Sequence, residues 1–334
     1  MTSFPDAGQL FMVGLVGTGV DDSTLDLITV LGINNFIIFR RNVESPEQLG
    51  QLCGELQNHC RQAGLPPALI SIDQEGGSVA RLPPPFTQFA DARRLAEGPE
   101  PEKALDHYIA ACVDELSSAG INMNLAPVLD VCPAGEGFFM EKRVLGDEPK
   151  RVAELGAQVI RGLQQGGIAA CGKHFPGLGA AQLDPHLQLP VVSRPLAQIR
   201  AIDLPPFEAA IEAGLAAIMT SHTIYTELDP HIPATLSEKV LSGLLRDEFG
   251  FAGVIVTDDL EMGAIENEGS VADAALRAFR AGADLLLICH DHDKIRRAHA
   301  RLIAAIAAGE VSLARCHQSL ERITSLRRRF AGPF

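Results

Sequence analysis

The chain has 334 residues, 46% of them apolar, which is enough to bury the core of one α/β barrel or of two smaller domains. Its 28 basic and 42 acidic residues leave a net charge of −14, which argues against a nucleic-acid backbone or an anionic membrane as the main partner. No stretch approaches the roughly 20 apolar residues of a membrane span, so no membrane insertion is expected.

Eight short apolar segments recur along the chain and are predicted to be strands: 10–16, 35–39, 68–72, 123–127, 169–172, 216–220, 254–256 and 284–289. Amphipathic segments are predicted to be helices: 45–63, 102–119, 150–165, 196–213, 236–249, 271–281, 294–308 and 312–330. Strands that are apolar on both faces and alternate with helices indicate a parallel sheet covered by helices. Eight such units predict a single (β/α)8 barrel of the TIM type, and since no linker is visible we expect one catalytic domain over residues 1–334.

A doubly wound open sheet is the alternative architecture. The segment after the first strand, 16–20, reads Val-Gly-Thr-Gly-Val, which has the wrong spacing for a dinucleotide-binding loop and is followed by acids. The barrel is therefore the preferred fold, and no nucleotide cofactor is expected.

Seven cysteines are widely spaced and odd in number, as expected for reduced thiols. The first residues carry an acid and no Lys or Arg before a short apolar run, which is not the pattern of a signal peptide. A cytoplasmic location is therefore expected.

In a barrel, the residues that end the strands meet on one rim, where barrel enzymes have their active sites. Nearly every predicted strand ends in charged or imidazole side chains: Arg40, Arg41, Asp73, Glu75, Asp130, Lys173, His174, His222, Asp258, Asp259 and His290. Such a mixture indicates a polar ligand with many hydroxyl groups, and a small-molecule carbohydrate fits.

Two motifs have both a chemical and an ordinary interpretation. Asp258 leaves an otherwise uncharged strand, either as a carboxylate nucleophile or as a helix N-cap, and Asp259 suits capping or support. Asp184 and His186 stand two residues apart on a segment rich in glycine and proline. The carboxylate could orient the imidazole and raise its pKa for acid/base work, or the pair could form an exposed turn.

Lys173 and the histidines allow two further classes of site. Lys173 could form a Schiff base, but His174 and the many carboxylates favour a charged lysine that binds sugar. A metal site built from His174, His222 and His290 is disfavoured because no ligand cluster has close, fixed spacing. No metal is therefore expected.

Several motifs in a fixed order make the chain recognisable. They are Gln9-Leu-Phe-Met-Val-Gly, Ile37-Ile-Phe-Arg-Arg-Asn-Val, Ile72-Asp-Gln-Glu-Gly-Gly, Asn124-Leu-Ala-Pro-Val-Leu-Asp-Val, Lys173-His-Phe-Pro-Gly, Met219-Thr-Ser-His, Pro233-Ala-Thr-Leu-Ser and Val256-Thr-Asp-Asp. Over nearly its whole length the chain resembles glycoside hydrolase family 3, in particular the single-domain bacterial β-N-acetylglucosaminidases of cell-wall recycling.

This resemblance implies a retaining, cofactor-independent glycosidase. Asp258 would be the nucleophile, and His186, oriented by Asp184, would be the acid/base. The substrate-binding residues that the resemblance implies are Asp73, Arg81, Arg143, Lys173, His174, His222 and Met262.

The chain departs from the usual family pattern near these motifs. Leu178, Gly179 and Ala180 occupy positions that usually hold His-Gly and then Asp or Asn; Ser78 replaces an Arg and Pro185 replaces a Ser. Three alternatives therefore stay open: a phosphorylase with the same dyad, a β-glucosidase of the family, and a catalytically silent sugar-binding barrel.

Overall fold

The fold is a closed barrel of parallel strands surrounded by helices, seen in a computed structural model that describes residues 4–181, 189–267 and 269–332. The barrel strands are β1 (Phe11–Gly14), β2 (Asn35–Ile38), β3 (Leu69–Ile72), β4 (Met123–Asn124), β5 (Ala169–Phe175), β6 (Ala217–Thr220), β7 (Val254–Val256) and β8 (Leu286–Ile288). Each strand pairs in parallel with the next from β1 to β7, and β8 pairs with β1.

The ring closes between β7 and β8. A parallel bridge joins Val256 to Leu285, and the Thr257 N–H donates to the Leu285 carbonyl at 3.0 Å. The predicted (β/α)8 barrel is therefore confirmed, and every barrel strand ends at the same rim.

The helices form the outer layer. The longer ones are Asp22–Thr29, Pro46–Gln62, Pro101–Ser118, Pro149–Gln165, Pro205–Glu212, Lys239–Glu248, Val271–Ala281, His292–Ala307 and Leu313–Phe330. Shorter helical turns are Pro5–Leu10, Arg40–Asn42, Ala92–Ala96, Leu196–Gln198, Ile199–Asp203, Ala234–Leu236 and Gly263–Glu266. Side chains cap several helix starts; Ser45, for example, accepts the Gln48 N–H.

Two helical regions differ from the sequence expectations. Asp22–Thr29, capped by Asp21, was not among the predicted helices. The single helix predicted over 196–213 is divided, with a wide turn at Ile199–Asp203 before Pro205–Glu212. Pro205 and Pro206 have no N–H to continue the helical hydrogen bonds, so the helix restarts there.

Two small sheets extend the barrel at the rim. Gln74–Gly76 pairs antiparallel with Val79–Ala80 directly after β3. Val191–Val192 pairs in parallel with Ile224–Tyr225 after β6. Within the described ranges, no helix has the length and apolar character needed to cross a membrane.

Candidate active site

A cavity of about 300 Å³ opens at the carboxyl ends of the barrel strands. Apolar side chains from β2, β6 and β8 contribute Ile37, Met219 and Leu287 to its lining. The lining also includes these predicted site residues: Asp73, Arg81, Arg143, Lys173, His174, Asp258 and Met262. The barrel therefore brings together side chains that are far apart in the sequence. Asp184, Pro185 and His186 lie outside the described residues.

A network of ion pairs forms one wall of this cavity. Lys173 Nζ lies 2.6 Å from Asp73 Oδ1 and 2.7 Å from Glu75 Oε1. Arg143 grips Glu75 with two nitrogens, at 2.8 and 2.9 Å, and Arg81 Nη2 lies 3.3 Å from Asp73 Oδ2. Three cations thus surround two carboxylates, which fixes the positions of all five side chains.

The network holds its members in their charged forms. Burial alone would raise the pKa of Glu75, but Lys173 and Arg143 outweigh it and lower that pKa to about 2. Burial opposes the same outcome at Asp73, where Lys173 and Arg81 lower the pKa well below its usual range. The two carboxylates in turn overcome the burial of Lys173 and raise its pKa. A protonated lysine is a poor Schiff-base nucleophile, so the geometry disfavours the aldolase alternative.

His174 is oriented by a carboxylate that the sequence analysis placed on the rim without a role. Asp130 is fully buried, and its Oδ2 lies 2.8 Å from His174 Nδ1. Because an ionised carboxylate only accepts hydrogen bonds, Nδ1 carries the proton in this pair. The other oxygen, Oδ1, accepts the N–H groups of His174 at 3.2 Å and Leu178 at 2.6 Å. Asp130 thereby ties the end of β5 to the turn that follows it.

Asp258 reaches the cavity from the end of β7, half-buried. Its Oδ1 accepts the N–H of the next residue, Asp259, at 2.8 Å. The next helical turn, Gly263–Glu266, begins after Met262, which is its N-cap. Asp258 therefore caps no helix here, and its carboxylate faces the same cavity as the ion-pair network.

Asp259 connects the ends of β7 and β8. Its Oδ1 accepts the Glu261 N–H at 3.1 Å and the Cys289 N–H at 3.3 Å. Burial, with the nearby Glu261 and Asp258 charges, raises the pKa of Asp259 to about 7. The supporting role that the sequence suggested for Asp259 agrees with this geometry.

An aromatic side chain with cations on it forms the outer part of the cavity. The Arg41 guanidinium lies 4.5 Å from the centre of the Phe39 ring, and that of Arg81 lies 5.6 Å away. The His290 ring lies 5.4 Å from Phe39, and both rings line the cavity. Aromatic faces of this kind suit the C–H surface of a sugar ring.

His222 is placed differently from the other predicted binding residues. It is buried and is not among the described residues that line the cavity. Its Nε2 donates to the Asp259 carbonyl at 2.9 Å, and its Nδ1 lies 2.8 Å from Thr235 Oγ1. The geometry connects His222 to the backbone beside Asp258, and its contact with substrate stays a prediction.

The departures from the family pattern fall on both sides of the cavity wall. Leu178 is buried and lines the cavity. Gly179 packs so closely that a Cβ there would lie 2.1 Å from the Val131 carbonyl oxygen. Ser78 is exposed, and its N–H donates to Asp91 Oδ1. Leu178 is thus the departure that changes the surface a ligand would meet.

The site contains residues that sequence reasoning left without a definite role: Glu75, Asp130, Phe39 and His290. Glu75 and Asp130 each follow an apolar strand, which was a usable signal, but their partners come from other strands. In the described ranges, no three His, Cys, Asp or Glu side chains are grouped to hold a metal ion.

Comparisons with known proteins identify relatives over most of the chain. The model of the glycosyl hydrolase family 3 N-terminal domain matches residues 6–326. A β-hexosaminidase of Nitrosomonas eutropha is 38% identical over 287 residues, which are 84% of this chain and 81% of that protein.

Two solved structures extend the comparison to the fold. A family 3 β-N-acetylglucosaminidase from Paenibacillus is 38% identical with a TM-score of 0.93; the match covers 99% of this chain but 63% of that longer protein. A β-N-acetylhexosaminidase from Beutenbergia cavernae is 30% identical with a TM-score of 0.90, over 98% of this chain and 99% of that one.

Proposed function

The chain belongs to glycosyl hydrolase family 3, and from that premise we propose that it is a retaining β-N-acetylglucosaminidase that removes terminal β-linked N-acetylglucosamine. Relatives named β-hexosaminidase and β-N-acetylglucosaminidase support the sugar assignment. The observation that carries the proposal is the Asp258 carboxylate, which faces a cavity whose opposite wall is the Lys173 network.

The reaction proceeds in two steps. An Asp258 oxygen attacks the anomeric carbon while His186, oriented by Asp184, gives a proton to the departing glycosidic oxygen. The bond to the aglycone breaks and a glycosyl ester on Asp258 forms. Water then attacks the same carbon, gives its proton to His186 and releases Asp258, so the anomeric configuration is retained.

The ion-pair network holds the sugar ring for this attack. Asp73 presents carboxylate oxygens as acceptors for ring hydroxyls, and Lys173, Arg81 and His174 supply donors from the same wall. Because these groups already pair with one another, little side-chain entropy is lost when the sugar binds. Arg143 acts behind them by fixing Glu75.

The setting of the enzyme is part of the proposal. We place it in the cytoplasm, as one catalytic domain over residues 1–334, acting in peptidoglycan recycling. Seven free, buried cysteines support a reducing compartment, and burial raises the pKa of thiols such as Cys53 to about 12.

The test is nitrophenol release from 4-nitrophenyl β-N-acetylglucosaminide, with the β-glucoside as a second substrate. Faster turnover of the N-acetylglucosaminide, with release of the free sugar, would support the proposal. Preference for the glucoside would favour the β-glucosidase alternative. Release of a sugar phosphate when inorganic phosphate is added would favour a phosphorylase, since a histidine acid/base does not repel the incoming anion.

A further inference from the structure

The position of the Asp258 carboxylate depends on its neighbour, because Asp258 Oδ1 accepts the Asp259 N–H. Asp259 is itself held at several points. Two backbone N–H groups, from Glu261 and Cys289, donate to its Oδ1. The His222 Nε2–H donates to its carbonyl oxygen. The backbone that presents Asp258 to the cavity is therefore fixed through Asp259.

The remaining oxygen of Asp259 faces a histidine whose tautomer the geometry determines. Arg41 Nη1 lies 3.1 Å from His290 Nδ1. Arginine nitrogens only donate, so His290 Nδ1 is the acceptor and the ring is neutral with its proton on Nε2. That nitrogen lies 3.5 Å from Asp259 Oδ2. Burial and the Arg41 charge lower the pKa of His290, in agreement with a neutral ring.

Arg41 is well placed to fix this orientation. Its Nε donates to the Leu15 carbonyl at 2.8 Å and its Nη2 to the Cys289 carbonyl at 2.6 Å. Three separate contacts therefore hold the guanidinium, and His290 meets a donor with a fixed direction.

We propose that Asp259 is the positioning residue for the Asp258 nucleophile and that its contact with His290, oriented by Arg41, makes this positioning depend on pH. The proposal rests on the glycosidase function proposed above. When Asp259 is ionised, Oδ2 accepts the His290 Nε2–H and the contact tightens. When Asp259 is protonated on Oδ2, two hydrogens face each other and the contact loosens.

The charged and titratable groups around Asp259 decide where this change falls. Asp258 and Glu261 on the same loop oppose its ionisation, whereas the Cys289 thiol after β8 favours it by hydrogen bonding. Arg41, from the end of β2, is a nearby cation. Because burial outweighs the favourable groups, the pKa of Asp259 is raised to about 7, so the switch falls within the range of an ordinary kinetic assay.

The kinetic test compares kcat against pH for the wild type and Asp259→Asn. Asparagine keeps the Oδ1 acceptor but presents an N–H₂ group to His290, so it imitates the protonated state at every pH. We expect the ratio of wild-type to mutant kcat to be constant below about pH 6 and to rise about tenfold through pH 7, a fraction of the roughly 100-fold that a 1 Å misplacement can cost. Since His186 titrates in both proteins, its contribution cancels from the ratio.

Two further variants separate positioning from general damage. Asp259→Ala loses the Oδ1 contacts as well, and its kcat should fall below that of Asp259→Asn while KM changes little. Glu266→Gln removes a carboxylate on the same side of the barrel that pairs with Lys294, so its profile should follow the wild type. A ratio that is flat from pH 5 to 9 would overturn the proposal.

Carboxyl ¹³C NMR supplies a reading that does not need turnover. In the wild type, the Asp258 carboxyl resonance should move as Asp259 titrates near pH 7, and this movement should be absent in Asp259→Asn. If the wild type failed to cleave the sugar, the proposed function would fail while this coupling could still be present. An Asp259 that titrates near pH 4, or an Asp258 resonance that ignores it, would overturn the proposal whatever the activity.

Discussion

Lys173 Nζ lies 2.6 Å from Asp73 Oδ1, although the two residues are 100 positions apart in the chain. The contact joins the end of β3 to β5 across the mouth of the barrel. Glu75 completes it, and burial excludes most of the water that would otherwise weaken the pairing. This arrangement combines structural and binding roles in one set of side chains.

Lys173→Met tests the structural role. The methionine fills similar space but leaves Asp73 and Glu75 without their shared cation, so we expect the free energy of unfolding to fall by about 3–5 kcal/mol. Urea denaturation measures this loss. Adding Glu75→Gln to the same protein should recover part of it, because one unpaired carboxylate is then removed. A loss below about 1 kcal/mol in the single variant would contradict the account.

Glu75→Gln tests the pH dependence of stability. The pKa of Glu75 is lowered to about 2 in the folded protein, below its value in the unfolded chain. The unfolded state therefore binds more protons between about pH 4.5 and pH 2, and the stability from this group is present above that window and is lost as the pH falls through it.

The stability difference between the wild type and Glu75→Gln should accordingly be largest above about pH 5 and shrink toward pH 2. Chemical denaturation at a series of pH values provides the measurement. Glu154→Gln, at a half-exposed residue near Arg151, is the matched control and should show no such trend. A difference that stays constant with pH would be inconsistent with a lowered pKa at Glu75.

Asp130→Asn tests the support of His174. The carboxylate accepts hydrogen bonds from the His174 ring, the His174 N–H and the Leu178 N–H, and an amide can accept on one side only. We expect kcat/KM to fall about 10- to 100-fold through misplacement of these groups. The unfolding free energy should fall by about 1–3 kcal/mol from the unsatisfied donor. Wild-type kinetics in this variant would remove Asp130 from the site.

Gly179→Ala tests the packing of the turn after β5. The added Cβ would lie 2.1 Å from the Val131 carbonyl oxygen, so the backbone must move. We expect a loss of about 1–3 kcal/mol in thermal or urea unfolding, together with weaker substrate binding beside Leu178. Gly54→Ala, in an open helical position of Pro46–Gln62, is the control and should stabilise the protein slightly. Equal effects of the two substitutions would contradict the packing described.

The sequence predicted the barrel well because its evidence is local. Each strand is a short apolar run, and the alternation with amphipathic segments requires no knowledge of distant contacts. The helix Asp22–Thr29 was missed, since eight residues with a weak apolar face give little periodicity. The break near Pro205 could have been predicted from its missing N–H, but the apolar pattern continues through it.

The site was predicted less completely because its roles depend on contacts between strands. Asp258 and Lys173 could be assigned to the rim from their positions after apolar runs. No local pattern indicates that Asp130 orients His174, or that Arg41 fixes the tautomer of His290. These contacts follow from the order and register of the strands, which a motif does not encode.

The most direct test of the central claim is mass spectrometry of the protein after incubation with a slowly hydrolysed, fluorinated N-acetylglucosaminyl fluoride. The account predicts a covalent sugar adduct on the peptide that contains Asp258, and its absence from Asp258→Asn. An adduct on another carboxylate, or turnover in the wild type that Asp258→Asn retains, would contradict the assignment of Asp258 as the nucleophile.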